Sequence, residues 1–166
     1  MRTLLVGGAL AALVIALSGC GASSAASGDA QETQRRGDLY EISLIERSFH
    51  ESISKKNIDE LVGLFAPHAT GTFGPGKTVS GTRQIRRVWL KSKAFKPGTH
   101  WLSDHPAYKL KVTVDGDRGT LHFECHFIDV VTGKVAAVTA GNLDVARIDG
   151  SWRITNFVGS TTELKI

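Results

Sequence analysis

The feature that most restricts what this chain can become is a change in apolar spacing near residue 100. Before that point large apolar side chains recur every three or four residues. Beyond it they recur every second residue. Leu39, Ile42, Ile45, Phe49 and Ile53 make one apolar helical face. Asp38 followed by Glu41 has the form of a capping box, so this helix is expected to start at Asp38. Ile58, Leu61, Val62 and Phe65 make a second stripe behind a cap at Asn57, with Pro67 expected to stop it. Short extended pieces flank Gly74-Pro75-Gly76. A third helix is expected from Ser80 or Thr82 to about Phe95, with Ile85, Val88 and Trp89 inward. The alternating part then starts. Tyr108, Leu110, Val112 and Val114 are expected on one face, then Leu121, Phe123, Cys125 and Phe127, with turns at Asp115-Gly116-Asp117, Thr132-Gly133-Lys134 and Asp149-Gly150. Three helices followed by a meander of four long strands give an α+β layer arrangement, with the helices on one face of an antiparallel sheet.

The N-terminus reads as an address. Arg2 precedes an apolar stretch of 14 residues, Leu4 to Leu17, which is short for a spanning helix and suited to a signal peptide. The run Leu17-Ser18-Gly19-Cys20 resembles the bacterial lipobox, which implies that residues 1–19 are removed and Cys20 is lipidated. Residues 20–37, rich in Gly, Ala and Ser, are then expected to be a flexible tether with a reach of about 20–25 Å. Residues 38–166 form the domain. The expected place is the extracytoplasmic face of the cell membrane, with membrane lipid as the partner of Cys20. Cys125 is left as a lone, buried thiol.

Composition excludes some classes. With 42% hydrophobic and 22% charged residues in 166, the chain is neither disordered nor fibrous and suffices for one core. The net charge of +4 is too mild to indicate nucleic acid. The basic stretch from Lys77 to Lys96 is expected to be the solvated face of an amphipathic helix, with contact to anionic lipid as the other reading.

The run Asn-Ile-Asp-Glu-Leu-Val-Gly-Leu-Phe-Ala-Pro-His-Ala-Thr (57–70) resembles the second helix and exit of the nuclear transport factor 2-like superfamily. Arg-Ile-Asp-Gly-Ser-Trp-Arg-Ile (147–154) is similar to its last hairpin, and His100 with the strand leading to Val114-Asp115-Gly116-Asp117 is similar to the SnoaL-like branch. The resemblance implies a cone: a curved antiparallel sheet of four long strands plus short ones, packed on three N-terminal helices. It also implies an apolar pocket and a homodimer through the outer sheet face.

The inward residues expected to touch a small apolar ligand are Phe49, Phe73, Trp89, Phe123, Cys125, Phe127, Gly141 and Leu143. In ketosteroid isomerases of this superfamily an oxyanion-holding tyrosine and a proton-moving carboxylate fall at the positions of Phe49 and Phe73, which can do neither. Compared with scytalone dehydratase, His100 is kept. The second histidine falls near Asp129, the first-helix aspartate near Ser54, and the pocket tyrosine at Phe73. His100 as general base, oriented by Asp129, is the one candidate dyad. The competing reading places His100 at the pocket mouth and Asp129 in a turn beside Thr132-Gly133. His122, Glu124 and His126 share a strand face expected to be the outer one, and are read as solvated or interfacial, with a metal site as the other reading. His50, His68 and His105 are expected to be lone and exposed. No metal and no cofactor are expected. The first functional expectation is ligand binding without catalysis. A dehydratase, isomerase or cyclase using His100 and Asp129 is the second, and a dimerising envelope module the third.

Overall fold

The computed structural model describes residues 22–76, 78–103 and 107–165. The expected signal peptide and Cys20 lie outside the described residues, as does His105. The first helix, α1 (Ala22–Ser54), starts well before Asp38. Ala30, Gln31, Glu32, Gln34, Arg35 and Arg36 are good helix formers, and Glu32 accepts from Arg35 and Arg36, three and four positions on, at 2.8 and 2.9 Å. The segment expected to be a coil is therefore helical from Ala22. At 1.5 Å per residue the 16 residues before Asp38 reach about 24 Å. Asp38 is no cap. It lies within α1, buried, and accepts a hydrogen bond from Arg147.

Helix α2 (Ile58–Gly63) has the expected cap, with Asn57 Oδ1 accepting from the Glu60 N–H at 3.1 Å and Asn57 Nδ2 donating to the Glu60 carboxylate at 3.0 Å. It stops before Phe65, which opens strand β1 (Phe65–Phe73) instead of closing the helix. Pro67 sits in that strand where the register with its neighbour shifts, a place where a missing N–H does little harm. Strand β2 (Thr78–Ser80) follows, then α3 (Thr82–Lys91), which buries Ile85 and Trp89. A single 3-10 turn (Lys93–Phe95) ends the helical half.

Five more strands complete the sheet: β3 (Trp101–Ser103), β4 (Lys109–Asp115), β5 (Arg118–Asp129), β6 (Lys134–Ile148) and β7 (Ser151–Glu163). Their order is β2-β1-β7-β6-β5-β3. Strand β4 also pairs with β5, on Arg118 to Glu124, while β3 takes Phe127 to Asp129. The meander is antiparallel as expected, but β1 joins β7 in parallel, so the sheet is mixed. Three helices pack on this curved, open sheet. Two further register shifts, within the meander, bend it: Ala136 is the extra residue in β6, and Thr155 the extra residue in β7.

The inner face carries a row across four strands: Phe73 pairs with Gly159, Gly159 with Gly141, and Gly141 with Phe123. The glycines make room for rings. A Cβ on Gly141 would lie 2.5 Å from Phe123 Cζ, and one on Gly159 would lie 2.3 Å from Phe157 Cζ. Phe49 on α1 meets this layer, its ring centre 5.6 Å from Phe123, 5.6 Å from Phe157 and 5.4 Å from Trp89. The deep interior is thus packed with rings where a hollow was expected. Tyr108 and Leu110 differ from expectation too, with Tyr108 52% and Leu110 39% exposed. Tyr108 just precedes β4; its hydroxyl donates to Glu124 at 2.8 Å and its ring stacks on His126.

Candidate functional site

Two features of the inner face could serve a function. The first is a buried polar group on the helix side. Glu46 and His50 are one turn apart on α1, beside the apolar stripe, and Cys125 faces them from β5. Glu46 is 2% exposed, and His50 and Cys125 are fully buried. His50 Nε2 lies 3.0 Å from Cys125 Sγ and 3.5 Å from Glu46 Oε1, while Sγ and Oε1 are 3.9 Å apart. The other imidazole nitrogen, Nδ1, is 3.0 Å from Ser103 Oγ on β3. The Ser103 backbone N–H donates to Ser54 Oγ at the end of α1 at 2.9 Å. The rings of Phe49 and Phe123 enclose the imidazole edge-on, centres 5.3 and 4.6 Å away.

His50 is therefore the opposite of the exposed, lone residue that the sequence suggests. Its position four residues after Glu46 and next to the apolar face is the signal that could have found it. Cys125 is buried as expected, but with a base in contact. Because both atoms are sealed from solvent, this group cannot act on an outside molecule in this conformation. It can hold a proton or an ion.

The second feature is a pair of small clefts at the mouth of the cone. One, of about 220 Å³, lies among Phe73, Val88, Trp89, Thr139 and Phe157. The other, of about 100 Å³, lies among Trp89, Ala94, Trp101 and Phe127, and Lys93 pairs with Glu163 at its rim at 2.5 Å. Both are below the ~300–1,000 Å³ of sites for drug-sized ligands, so each suits a smaller molecule. Trp89 borders both. Its indole N–H is buried and has no hydrogen-bond partner among the described residues. Leaving such a donor unpaired costs about 1–3 kcal/mol.

The expected ligand-touching residues divide between these places. Phe73, Trp89 and Phe127 border the clefts, whereas Phe49, Phe123, Cys125, Gly141 and Leu143 lie in the packed interior. His100 is exposed, and its carbonyl accepts from the Val130 N–H at 3.0 Å. Asp129 Oδ1 accepts from the N–H groups of Val131 and Thr132, each at 3.0 Å, in the turn that leads to Gly133. The Thr132 N–H is the main reason that the Asp129 carboxyl titrates below its ordinary value; His100 contributes less. His122 and Glu124 lie on the outer face. His122 Nδ1 is 2.8 Å from Asn142 Oδ1, and the Glu124 carboxyl is lowered to about 2 by Lys109 first, then by Tyr108 and His122. A broader hollow of about 550 Å³ also opens among Thr113, Arg118, Thr120, Asp144 and Thr155, away from both inner features.

A bent sheet wrapped on three helices is the nuclear transport factor 2-like cone fold. Within that class the chain belongs to the SnoaL-like domain family, whose model matches residues 37–158. Solved structures agree on the fold. A nuclear transport factor 2-like protein with a cystatin-like fold from Novosphingobium aromaticivorans is 16% identical, with a TM-score of 0.65 over 86% of this chain and 91% of that one. A dehydratase candidate of the same family from Streptomyces avermitilis is 13% identical, with a TM-score of 0.60 over 76% and 97%. A ketosteroid isomerase-like protein from Erwinia carotovora atroseptica is 12% identical, with a TM-score of 0.58 over 78% and 98%. At such identities the likeness concerns the fold. No curated protein matches the chain.

Proposed function

We propose that this protein is a membrane-anchored, extracytoplasmic lipoprotein whose cone mouth holds a small apolar molecule without transforming it. The observation that carries the binding part is the buried indole N–H of Trp89, which has no partner among the described residues and borders both aromatic clefts. A ligand ring stacked beside Trp101 and Phe127, with one acceptor atom toward Trp89, would satisfy it. Two compounds test this by calorimetry. 1-Naphthol, which carries an oxygen, should bind about five- to tenfold more tightly than naphthalene, as one net hydrogen bond implies. Trp89→Phe should erase that preference. Equal affinities in the wild type, or no binding of either compound, would overturn the reading.

The non-catalytic part rests on what lines the cone. By the resemblance, the oxyanion-holding and proton-moving positions of ketosteroid isomerases fall on Phe49 and Phe73 here. The enzymatic alternative, with His100 as base and Asp129 behind it, draws on the names of structural neighbours. It is the weaker reading because His100 is exposed and Asp129 Oδ1 is committed to its own turn.

The anchor rests on Leu17-Ser18-Gly19-Cys20. None of the helices among the described residues is long and apolar enough to cross a membrane. The part of α1 before Asp38 would then act as a stalk of about 24 Å in place of a coil. Cys20→Ala should move the protein from the membrane fraction to the soluble one, with its circular dichroism unchanged. A wild-type protein found soluble with an unmodified Cys20 would sink this part.

A further inference from the structure

The geometry points to a second site: we propose that Glu46, His50 and Cys125 bind a thiophilic divalent cation, with zinc as the representative ion. Carboxylate, imidazole and thiolate together are a transition-metal donor set. Magnesium and calcium prefer oxygen donors alone. The donor atoms stand 3.0, 3.5 and 3.9 Å apart. A tetrahedral zinc with Zn–S about 2.3 Å and Zn–N and Zn–O about 2.0 Å holds its donors about 3.3–3.6 Å from one another. The mean spacing already fits, and side-chain shifts of about half an ångström would equalise the three edges.

The surroundings favour the same reading. With Nδ1–H donating to Ser103 Oγ, the lone pair of His50 Nε2 faces Cys125 Sγ and Glu46 Oε1. A partner behind the imidazole is the usual companion of a metal-bound histidine. Charge also balances. On binding, the Cys125 thiol gives its proton to solvent as sulfur bonds to the metal. Thiolate and carboxylate then carry two negative charges against the ion's two positive ones. A neutral assembly is the form that the enclosing Phe49 and Phe123 rings tolerate best, since net charge is costly to bury. Because the donors are sealed, the ion enters during folding or local opening and then exchanges slowly. Bound there, it ties α1 to β5 across the core.

The test uses the mature chain. Protein from zinc-supplemented cells, purified without chelator, should hold one zinc per chain by elemental analysis. Protein refolded with cobalt(II) should show the intense near-ultraviolet sulfur-to-cobalt charge-transfer band and visible bands of tetrahedral cobalt. Cys125→Ser should abolish the charge-transfer band. Ser103→Ala leaves all three donors in place and should weaken zinc binding about 10–100-fold. Neither zinc nor cobalt at stoichiometric level in the wild type, or a cobalt spectrum indifferent to Cys125→Ser, would overturn the proposal. So would unchanged zinc affinity in Ser103→Ala. The naphthol experiment on Trp89 is unaffected by either outcome.

Discussion

Phe49→Ala should lower the unfolding free energy by about 3–5 kcal/mol, the largest loss expected from any single truncation in the cone. Phe49 is 2% exposed and its ring meets His50, Trp89, Phe123 and Phe157. Those neighbours come from α1, α3, β5 and β7, so the ring joins the helical layer to the sheet at several points. They are also hard to move. Phe123 lies across Gly141 and Phe157 across Gly159, and shifting either toward the new void would uncover the backbone beneath it. A site that cannot collapse keeps its cavity, which puts the cost in the upper part of the usual range. Urea denaturation of the two proteins measures the difference. A loss below about 1 kcal/mol would mean that the interior relaxes freely and that the ring layer is not rigid.

Arg147→Ala should cost about 3 kcal/mol at neutral pH, near the lower end of what breaking a buried ion pair costs. The Arg147 guanidinium donates to Asp38, which is 5% exposed, and also to Asp117 at 3.1 Å, and it lies 4.7 Å over the Trp152 ring. Burial pushes the Asp38 carboxyl up, and hydrogen bonds from Arg147 and Gln34 outweigh it, so the group titrates below its ordinary value. Its contribution to stability is therefore complete above the ordinary carboxyl range and disappears as pH falls through the lower, folded-state value. Without Arg147, burial is opposed chiefly by Gln34, and the Asp38 carboxyl loses the main interaction that holds it below its ordinary value. The gap between wild type and variant should thus be widest near neutrality and close as pH drops below about 4. Melting curves recorded from pH 7 to pH 3 check this. A constant gap would show that the loss comes from packing on Trp152 alone.

The candidate site shows where reading along the chain stops being sufficient. Trp89 and Phe127 face inward by spacing, and they do border the clefts, because the side a residue faces follows from its own few neighbours. Filling of the deep cone was not legible. It depends on glycine lying opposite or beside phenylalanine, as Gly141 does with Phe123 across two strands, and so on register. The α1 extension was missed for a different reason. Gly, Ala and Ser suggested a coil, while the Glu32 pairs with Arg35 and Arg36 show their effect only once a helix exists.

The three helices, the antiparallel meander, its turns and the burial of Cys125 follow from local patterns, since helices and strands repeat at fixed periods and bury one side. The parallel joining of β1 to β7, the bends at Ala136 and Thr155, and the meeting of Glu46, His50, Ser103 and Cys125 were decided by tertiary structure alone. His50 stands 53 positions before Ser103 and 75 before Cys125. No short-range rule relates residues so far apart. Their contact is set by how far α1 slides along the inner face before its rings lock against those of the sheet, and packing of the whole layer is what fixes that distance.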